Sequence, residues 1–356
     1  MVARVQSIVK ASREEWLSAA KACPYATYFH TPYWYDLIVP DQGHTALSVC
    51  FNDGVSAIIP IAKVRRMYGL LVDHFSSPGG TYGGWISGSA LDEGHVKALV
   101  DILLSKKNLT FRVNPFDEKS SPVISSLTIP SSTESLPVKS SSAPSSTSIT
   151  ITDDFTHTLD LTKGVDELFG ALSRGHRSAI NSAARGGVAV RAAEAPEEWE
   201  RYYGLYLDSL ERWRAGGPEL RPGTVYPPAF FRRLRGNLTG NEILWLALKD
   251  GEPISGALVF YWGGHAVYWH GASSARSFSL KPNNLLFWEI VKDARRKGCK
   301  VFDFNPSGGY GGVESFKDRF GAARVHAPVL LTRTPLRALV ARARHGRGTA
   351  RRGPKG

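Results

Sequence analysis

Cysteine is scarce in this sequence of 356 residues, which contains only three. Cys23, Cys50 and Cys299 lie far apart, are odd in number and include no Cys-x-x-Cys spacing. A disulfide framework requires paired cysteines, and a structural zinc site requires closely spaced ligands. The sequence therefore predicts neither feature and is typical of a protein in a reducing cytoplasm.

Long hydrophobic runs are also missing. No segment approaches the roughly 18 uninterrupted apolar residues that a membrane-spanning helix requires. The first ten residues, MVARVQSIVK, lack the apolar core of a signal peptide. We therefore expect a cytoplasmic protein that neither crosses a membrane nor is exported.

Several catalytic signatures are absent as well. The sequence contains no Gly-x-Ser-x-Gly elbow, no His-Glu-x-x-His pair and no phosphate-binding P-loop. These absences argue against an α/β-hydrolase, a zinc protease and an NTPase.

Acidic residues are missing from the C-terminal segment, residues 333–356, which contains eight arginines and lysines. Eight of the twelve net positive charges of the sequence therefore lie in this segment. We interpret it as a basic disordered tail. Such a tail attracts either RNA or an anionic membrane surface, and the sequence does not distinguish these partners.

The length of the sequence predicts two domains, because it exceeds what one hydrophobic core usually supports. Residues 117–150 are expected to be a linker or loop between them, since residues 117–148 contain thirteen serines and few large apolar side chains. This division gives an N-terminal domain over residues 1–116 and a C-terminal domain over residues 151–332.

The two halves show a similar order of elements. In the first half, Ser12 and Thr31 predict the starts of two helices, and residues 52–54, Asn-Asp-Gly, predict a hairpin between two alternating strands. In the second half, the turns at residues 250–251 and 263–264 predict a three-stranded antiparallel meander, which is followed by a helix and a short strand.

The candidate site lies within residues 302–321, FDFNPSGGYGGVESFKDRFG. A β-rich run enters a glycine-rich loop and then a helix, in which Phe316 and Phe320 lie one turn apart and point the same way. Lys317 lies beside the loop, where an ammonium group can stabilise charge that develops on an acyl oxygen. From spacing alone, a solvated surface lysine is the simpler interpretation.

This pattern resembles the C-terminal signature of the Fem family of aminoacyl-tRNA-dependent peptidyltransferases. The shared features are Asp303-Phe304, the glycine-rich loop and the Phe-Lys-x-x-Phe-Gly run at residues 316–321. The opening run Phe-His-Thr-Pro-x-Trp at residues 29–34 is also similar to Fem-like proteins. The resemblance extends over about residues 155–325 and more loosely over 26–115. It implies an α/β fold of two tandem GNAT-like acyltransferase domains, each with a mixed, mainly antiparallel sheet flanked by helices.

The resemblance also implies a reaction. An aminoacyl group would pass from aminoacyl-tRNA to an amine of a peptidoglycan precursor stem peptide or a related acceptor, with no cofactor and no metal, at or near the inner membrane face. Lys317 would stabilise the oxyanion, and Phe316 would shape the pocket. Asp303 is a candidate proton acceptor, and a structural role for it is equally open.

Substrate-binding residues follow from the same resemblance. Arg212 matches an arginine that binds substrate phosphate in the cell-wall enzymes of the family. A lysine that contacts phosphate in those enzymes is replaced here by Ile38, so a small natural product stays open as the acceptor. Further candidates for substrate binding are Arg177, Asn305 and Tyr310.

Two alternatives remain at this point. One is a CoA-dependent N-acyltransferase of the same fold, which would use acetyl-CoA or another acyl-CoA on a small molecule or natural product. Residues 275–284, ARSFSLKPNN, occupy the position of its pyrophosphate loop but contain no glycine, which argues against backbone cradling of CoA. The other is an RNA-binding module, for which Lys317→Ala would leave the function intact. The donated amino acid, the acceptor and the oligomeric state do not follow from the sequence.

Overall fold

The structure of the protein is a computed structural model, which describes residues 3–40, 43–76, 78–118, 147–216, 225–308 and 310–340. Most of the predicted linker, residues 119–146, and most of the predicted tail, residues 341–356, lie outside the described residues. The chain divides into two compact units. The first contains residues 1–154 and 326–356, and the second contains residues 155–325.

The first unit is built on a seven-stranded sheet. Its strand order is β1-β2-β3-β4-β5-β14-β6, and β4 and β5 are its one parallel pair among the described residues. The strands are β1 (Val5–Lys10), β2 (His44–Phe51), β3 (Ser56–Arg66), β4 (Leu71–Phe75), β5 (Leu109–Arg112), β6 (Ser148–Thr152) and β14 (Val329–Arg333). The helices are α1 (Arg13–Ala22), α2 (Pro32–Ile38) and α3 (Glu93–Leu104).

The second unit contains another seven-stranded sheet, in the order β13-β7-β12-β11-β10-β9-β8. The strands are β7 (Phe155–Asp160), β8 (Val188–Ala192), β9 (Glu242–Lys249), β10 (Glu252–Trp262), β11 (His265–Ser273), β12 (Val301–Asp303) and β13 (Ala323–His326). The helices are α4 (Val165–Ala171), α5 (Arg174–Arg185), α6 (Pro196–Gly216), α7 (Pro228–Gly236), α8 (Pro282–Arg296) and α9 (Gly311–Arg319).

The two units repeat one arrangement. In each, a strand continues through a crossover helix into a parallel neighbour: β4, α3 and β5 in the first unit, and β11, α8 and β12 in the second. An antiparallel strand then lies on the far side of the second parallel strand, β14 next to β5 and β7 next to β12. The predicted repeat of element order is therefore present in the sheet topology.

The crossover helices carry the apolar stripes that form the two cores. In α3 the buried side chains recur at helical spacing and pack on the first sheet, and in α8 they do the same on the second. Burial of each such aliphatic side chain contributes about 1.5–3 kcal/mol. The buried residues are Val96, Leu99, Val100 and Leu103 in α3, and Leu286, Ile290, Val291 and Ala294 in α8.

The boundary between the units differs from the predicted one. We expected residues 151–332 to form the C-terminal domain, but β6 and β14 both belong to the sheet of the first unit. β14 pairs with β5 on one side and with β6 on the other, and Ile149 and Leu330 are buried in the first core. The chain therefore leaves the first unit after β6 and returns to it after β13.

The start of the predicted tail is ordered. Arg333 is the last residue of β14, and residues 335–340 are helical. The Nε of Arg337 donates to Oδ1 of the buried Asp73 at 2.9 Å, and Thr334 donates from its backbone and hydroxyl to Oδ1 of Asn108. The expectation of a disordered tail from residue 333 is therefore wrong for residues 333–340, because specific polar partners hold them.

Two features are absent from the described residues. No described helix is both long enough and apolar enough to cross a bilayer. Within the same ranges, no group of three or more His, Cys, Asp or Glu side chains is arranged to hold a metal ion.

Candidate active site

The candidate site begins where β12 ends. β12 runs parallel to β11, pairing Val267 with Asp303, and antiparallel to β7, pairing Thr158 with Asp303. Because β12 lies between two strands, its C-terminal end and the following loop are fixed from both sides. The loop that begins at residue 304 leads into α9, which carries Phe316 and Lys317.

Lys317 is buried, with 2% of its surface exposed. Its Nζ donates a hydrogen bond to the backbone oxygen of Asn305 at 2.5 Å. Moving an unpaired ammonium group out of water costs several kcal/mol, so a buried lysine is retained only with polar partners. The interpretation as a solvated surface lysine is therefore wrong, and a positive charge lies beside the glycine-rich loop.

Asp303 shapes the backbone that meets this lysine. Its carboxylate is fully buried, and Oδ1 accepts hydrogen bonds from Thr156 Oγ1 at 2.5 Å and from the backbone N–H of Asn305 at 2.8 Å. Asn305 has a left-handed backbone conformation, with φ of 59°, which asparagine tolerates better than most residues. The carboxylate thus holds the turn that directs the Asn305 carbonyl towards Lys317.

Two polar side-chain atoms of the loop have no hydrogen-bond partner. Among the described residues, Asn305 Oδ1 and Ser307 Oγ are buried and unpaired. Buried polar atoms are nearly always hydrogen-bonded in folded proteins, to protein, water or ligand. The Asn305 amide oxygen and the Ser307 hydroxyl group are therefore candidates for hydrogen bonds with a bound water or a polar ligand.

Phe316 belongs to an aromatic cluster on the other side of α9. Its ring lies 5.3 Å from that of Phe320, 5.6 Å from Phe287 and 5.0 Å from the imidazole of His176. Phe320 is almost fully buried, whereas Phe316 is only partly buried. The cluster fixes the rotation of α9 about its axis, and with it the direction of Lys317.

Gly321 explains why the motif ends in glycine. Its φ is +77°, and a Cβ at this position would lie 2.8 Å from the backbone oxygen of Ala171 at the end of α4. A larger residue would be strained by its backbone conformation and by this close approach. The Phe-Gly pair thus allows the end of α9 to contact α4.

Arg177 is engaged next to this corner. Its guanidinium Nη1 donates to the backbone oxygen of Gly170 at 2.8 Å and to that of Leu172, where the last carbonyl groups of α4 lack helical partners. It therefore closes the helix end, and no described contact connects it with Lys317. Its predicted role in substrate binding stays a prediction.

Arg212 lies in a different part of the second unit, near the end of α6. Its guanidinium donates to Ser273 O at 3.3 Å and to Ser209 Oγ at 3.2 Å, and it lies 5.0 Å from the centre of the Phe278 ring. It is only partly buried, so part of the cation faces outward. The structure thus brings Asp303, Asn305 and Lys317 together, and it places Arg212 at the loop after β11.

Tyr310 marks the start of α9. It is the residue before the first helical turn, its backbone N–H donates to Ser307 O at 3.3 Å, and its side chain is about half exposed. The exposed phenol at the end of the loop is accessible to a ligand. The predicted role of Tyr310 in substrate binding stays a prediction.

The loop before α8 contains no glycine cradle. Residues 275–280 form a 3₁₀ turn, and Lys281 has a left-handed conformation before Pro282 begins α8. In the first turn of α8, Asn283 Oδ1 accepts hydrogen bonds from Ser255 at 2.5 Å and from Ser273 at 2.9 Å. Side-chain hydrogen bonds thus hold the start of α8.

His157 and Thr156 were not singled out in the sequence. His157 Nε2 lies 3.0 Å from Asp318 Oδ1, and Arg324 Nη2 donates to the other oxygen of that carboxylate at 2.7 Å. Burial, assisted by the charge of Lys317, lowers the pKa of His157. The only sequence signal was the alternating pattern of β7, which indicates a strand but does not identify its neighbours.

Three histidines of the second unit, two of them buried and one partly buried, predict a pH dependence of stability. Burial lowers the pKa of His157, His176 and His270, to about 3 for His270. Each therefore binds a proton more weakly in the folded protein than in the unfolded protein, where the pKa is about 6.5. The stability they provide is therefore present above that pH and is lost as the pH falls below it, by up to about 1.4 kcal/mol per pH unit for each histidine.

Urea denaturation between pH 7.5 and pH 5 measures this effect. We expect His270→Gln to reduce the slope of the unfolding free energy against pH by up to about 1.4 kcal/mol per pH unit, which is the contribution of one proton. Leu238→Ser, which removes an exposed side chain of the second unit that does not titrate, should leave the slope unchanged. An unfolding free energy that is flat over this range would contradict the assignment.

Comparison with known proteins links this geometry to a fold family. Residues 172–318 match the family model described as the acetyltransferase (GNAT) domain, a range that ends just after Lys317. No curated protein matches the sequence. The solved structure of FemX is similar, with a TM-score of 0.64 at 14% sequence identity, over 91% of this chain and 97% of that one.

Two further solved structures are similar over most of the chain. The C-terminal domain of a putative lysylphosphatidylglycerol synthetase from Agrobacterium fabrum has a TM-score of 0.54 at 14% identity, covering 93% of this chain and 95% of that one. A tandem GNAT protein from the clavulanic acid biosynthesis pathway has a TM-score of 0.51 at 11% identity, covering 92% and 98%. At these identities the similarity shows the fold.

The fold-class prediction is therefore confirmed. The two mixed sheets with their flanking helices match the tandem GNAT-like architecture. Residues 172–318, which match the acetyltransferase (GNAT) family model, include the buried Lys317, and this match supports an acyltransferase.

Proposed function

We propose that this protein is an aminoacyltransferase, which forms an amide bond between the aminoacyl group of aminoacyl-tRNA and an amine acceptor. The observation that carries this proposal is the buried ammonium of Lys317 against the Asn305 carbonyl, beside two unpaired buried polar atoms. The sequence 316–321 around it resembles the Fem signature, and the fold is similar to that of FemX.

The reaction needs an activated acyl group, an amine and a way to stabilise negative charge. The acceptor nitrogen attacks the ester carbonyl, its bond to carbon forms, and the carbon–oxygen bond to the tRNA ribose breaks. The proton lost by the nitrogen is balanced by the proton that the ribose oxygen gains. The Lys317 ammonium stabilises the oxyanion of the tetrahedral intermediate, an effect that elsewhere contributes about 10²–10³ in rate for a single donor.

The loop residues have complementary roles in this proposal. Asn305 Oδ1 and Ser307 Oγ accept hydrogen bonds from the attacking amine and hold it next to the carbonyl carbon. Asp303 supports the turn, and its hydrogen bonds from Thr156 and Asn305 fit a positioning role better than proton transfer. Phe316, partly exposed above its aromatic cluster, forms an apolar wall.

The acceptor class that we propose is the stem peptide of a peptidoglycan precursor or a related amine. Arg212 fits a phosphate of such a precursor, because its guanidinium is already oriented by Ser209 and Ser273 and is partly exposed. Arginine is suited to bidentate contacts with phosphate oxygens. No cofactor is needed, since the tRNA ester supplies the activated acyl group.

A CoA-dependent N-acyltransferase is the second candidate. The match of residues 172–318 to an acetyltransferase family model favours it. The turn before α8 contains no glycine, which argues against this candidate. A helix start that binds pyrophosphate usually does so through exposed backbone N–H groups. The two candidates differ in the carrier of the acyl group.

Binding of the two carriers separates these candidates. We expect saturable binding of a mixed pool of aminoacyl-tRNA that weakens steeply between low and moderate salt, because phosphate contacts release counterions. Acetyl-CoA should not saturate the protein at comparable concentrations. Fluorescence anisotropy with labelled tRNA and titration calorimetry with acetyl-CoA measure the two affinities. Tight acetyl-CoA binding together with indifference to tRNA would overturn the proposal.

A further inference from the structure

The turn between β3 and β4 exposes an unusual set of apolar side chains. Met67, Tyr68 and Leu70 follow Arg65 and Arg66, and all five are exposed. Tyr68 is fully exposed and Leu70 is 77% exposed. Large apolar side chains that stay exposed at the tip of a hairpin contribute no buried surface to the folded protein. A group of them therefore indicates a surface that another molecule or a lipid layer covers.

The backbone of this tip is held in a demanding conformation. Met67 and Tyr68 both have positive φ values, 51° and 55°, which are uncommon for residues other than glycine. The pairing of Arg66 with Leu71 and the hydrogen bond from Leu70 N to Met67 O at 3.1 Å close the turn. The fold thus maintains a strained turn that presents Tyr68 outward.

A second exposed apolar group lies on a segment that ion pairs link to this hairpin. Leu336 and Leu339, in the helical residues 335–340, are exposed. The buried carboxylate of Asp73 joins the two groups, because Arg66 Nε donates to its Oδ2 at 2.7 Å and Arg337 Nε to its Oδ1 at 2.9 Å. We call this combined surface the hairpin–tail patch, which consists of Met67, Tyr68, Leu70, Leu336 and Leu339.

Positive charge surrounds the hairpin–tail patch. Lys63, Arg65 and Arg66 lie on the adjoining strand and are exposed. An apolar centre with a basic rim matches the interface of an anionic bilayer, where the apolar side chains enter the acyl boundary and the cations contact the headgroups.

We propose that the hairpin–tail patch docks the protein on an anionic lipid surface. The inference goes beyond the proposed transfer reaction, because it rests only on the first unit and holds for either acyl carrier. RNA fits the patch less well, since a phosphate backbone matches the arginines but gives Met67 and the leucines no apolar environment. Docking would hold the enzyme where a lipid-linked acceptor is located.

Vesicle co-sedimentation of the full chain tests this inference. We use vesicles of phosphatidylglycerol and phosphatidylcholine in equal parts, and vesicles of phosphatidylcholine alone. We expect binding to the anionic vesicles that decreases with salt. The double variant Tyr68→Ser with Leu70→Ser should reduce partitioning at least about tenfold, and Arg65→Glu at least about fivefold.

The control is Leu238→Ser, which removes an exposed leucine from the second unit and should partition as the unaltered protein does. Thermal unfolding should be unchanged in all these variants, because the altered side chains are exposed. Unreduced vesicle binding by the double variant would overturn the proposal. The proposal would also be overturned if the protein bound no vesicles but bound tRNA. In that case Arg65→Glu would weaken the tRNA binding and the double variant would leave it unchanged.

Discussion

Replacing Lys317 by Met is expected to lower the rate of acyl transfer by about 10²–10³ and to cost about 1–3 kcal/mol of stability. Methionine has nearly the length of lysine but carries no charge, so it fills the same buried space and leaves the oxyanion unstabilised. It also removes the donor to the buried backbone oxygen of Asn305, and an unpaired buried acceptor is destabilising. The transfer rate is therefore measured where the variant is still folded.

The matched control for this variant is Lys300→Met. Lys300 is an exposed lysine in the same unit, just before β12, and its replacement should change neither the rate nor the unfolding free energy. Initial transfer rates and urea denaturation curves measure both quantities. A Lys317→Met enzyme with an unaltered rate would show that the ammonium takes no part in the reaction, as expected of a binding module.

Replacing Phe320 by Ala is expected to cost about 3–5 kcal/mol of unfolding free energy in the second unit. The Phe320 ring is almost fully buried and lies 5.3 Å from Phe316, 5.5 Å from Phe304 and 5.2 Å from His176. Alanine would leave a cavity between α9, α5 and the end of β12. Because the cluster orients α9, the transfer rate should also fall where the variant is still folded.

Leu207→Ala is the control for this second variant. Leu207 lies on α6 of the same unit but is 44% exposed, so its truncation should cost well under 1 kcal/mol. Urea denaturation followed by tryptophan fluorescence reports both changes. Equal losses for the two variants would mean that the aromatic cluster contributes no more than a surface contact.

Much of the local structure could be predicted from short-range signals. Ser12 caps α1 and Thr31 caps α2 with Pro32 at its first position, as their sequences predict. The Asn-Asp-Gly turn joins β2 and β3. Such signals act within a few residues, where side chain and backbone contact each other directly, and the sequence therefore contains all that is needed to recognise them.

The pairing of distant strands could not be predicted in the same way. Residues 148–152 alternate between apolar and polar side chains, which predicts a strand but not its partner. Its partner is β14, about 180 residues away in the chain by the pairing of Ile149 with Thr332. The predicted C-terminal domain, residues 151–332, therefore begins before the second unit and ends after it, because that unit contains residues 155–325.

The residues of the candidate motif lie in contact, but their surroundings did not follow from the sequence. The loop and helix motif indicated Asp303, Asn305 and Lys317 as one group, and their contacts connect them. The burial of Lys317 was not predicted from spacing. The participation of Thr156 was not predicted either, since it depends on the pairing of β7 with β12, more than 140 residues away. The catalytic and binding roles of these residues stay predictions.

The most direct test of the central claim is the chemical nature of the transferred bond. The purified protein is incubated with tRNA charged with labelled amino acids and with a stem-peptide precursor that carries a free amine, and the product is then treated with mild base. We predict label in the precursor that resists base, as an amide does, with loss of this product in Lys317→Met. The account would be contradicted if the amino-acid label remained only in aminoacyl-tRNA, which mild base cleaves, while labelled acetyl-CoA acylated an amine acceptor.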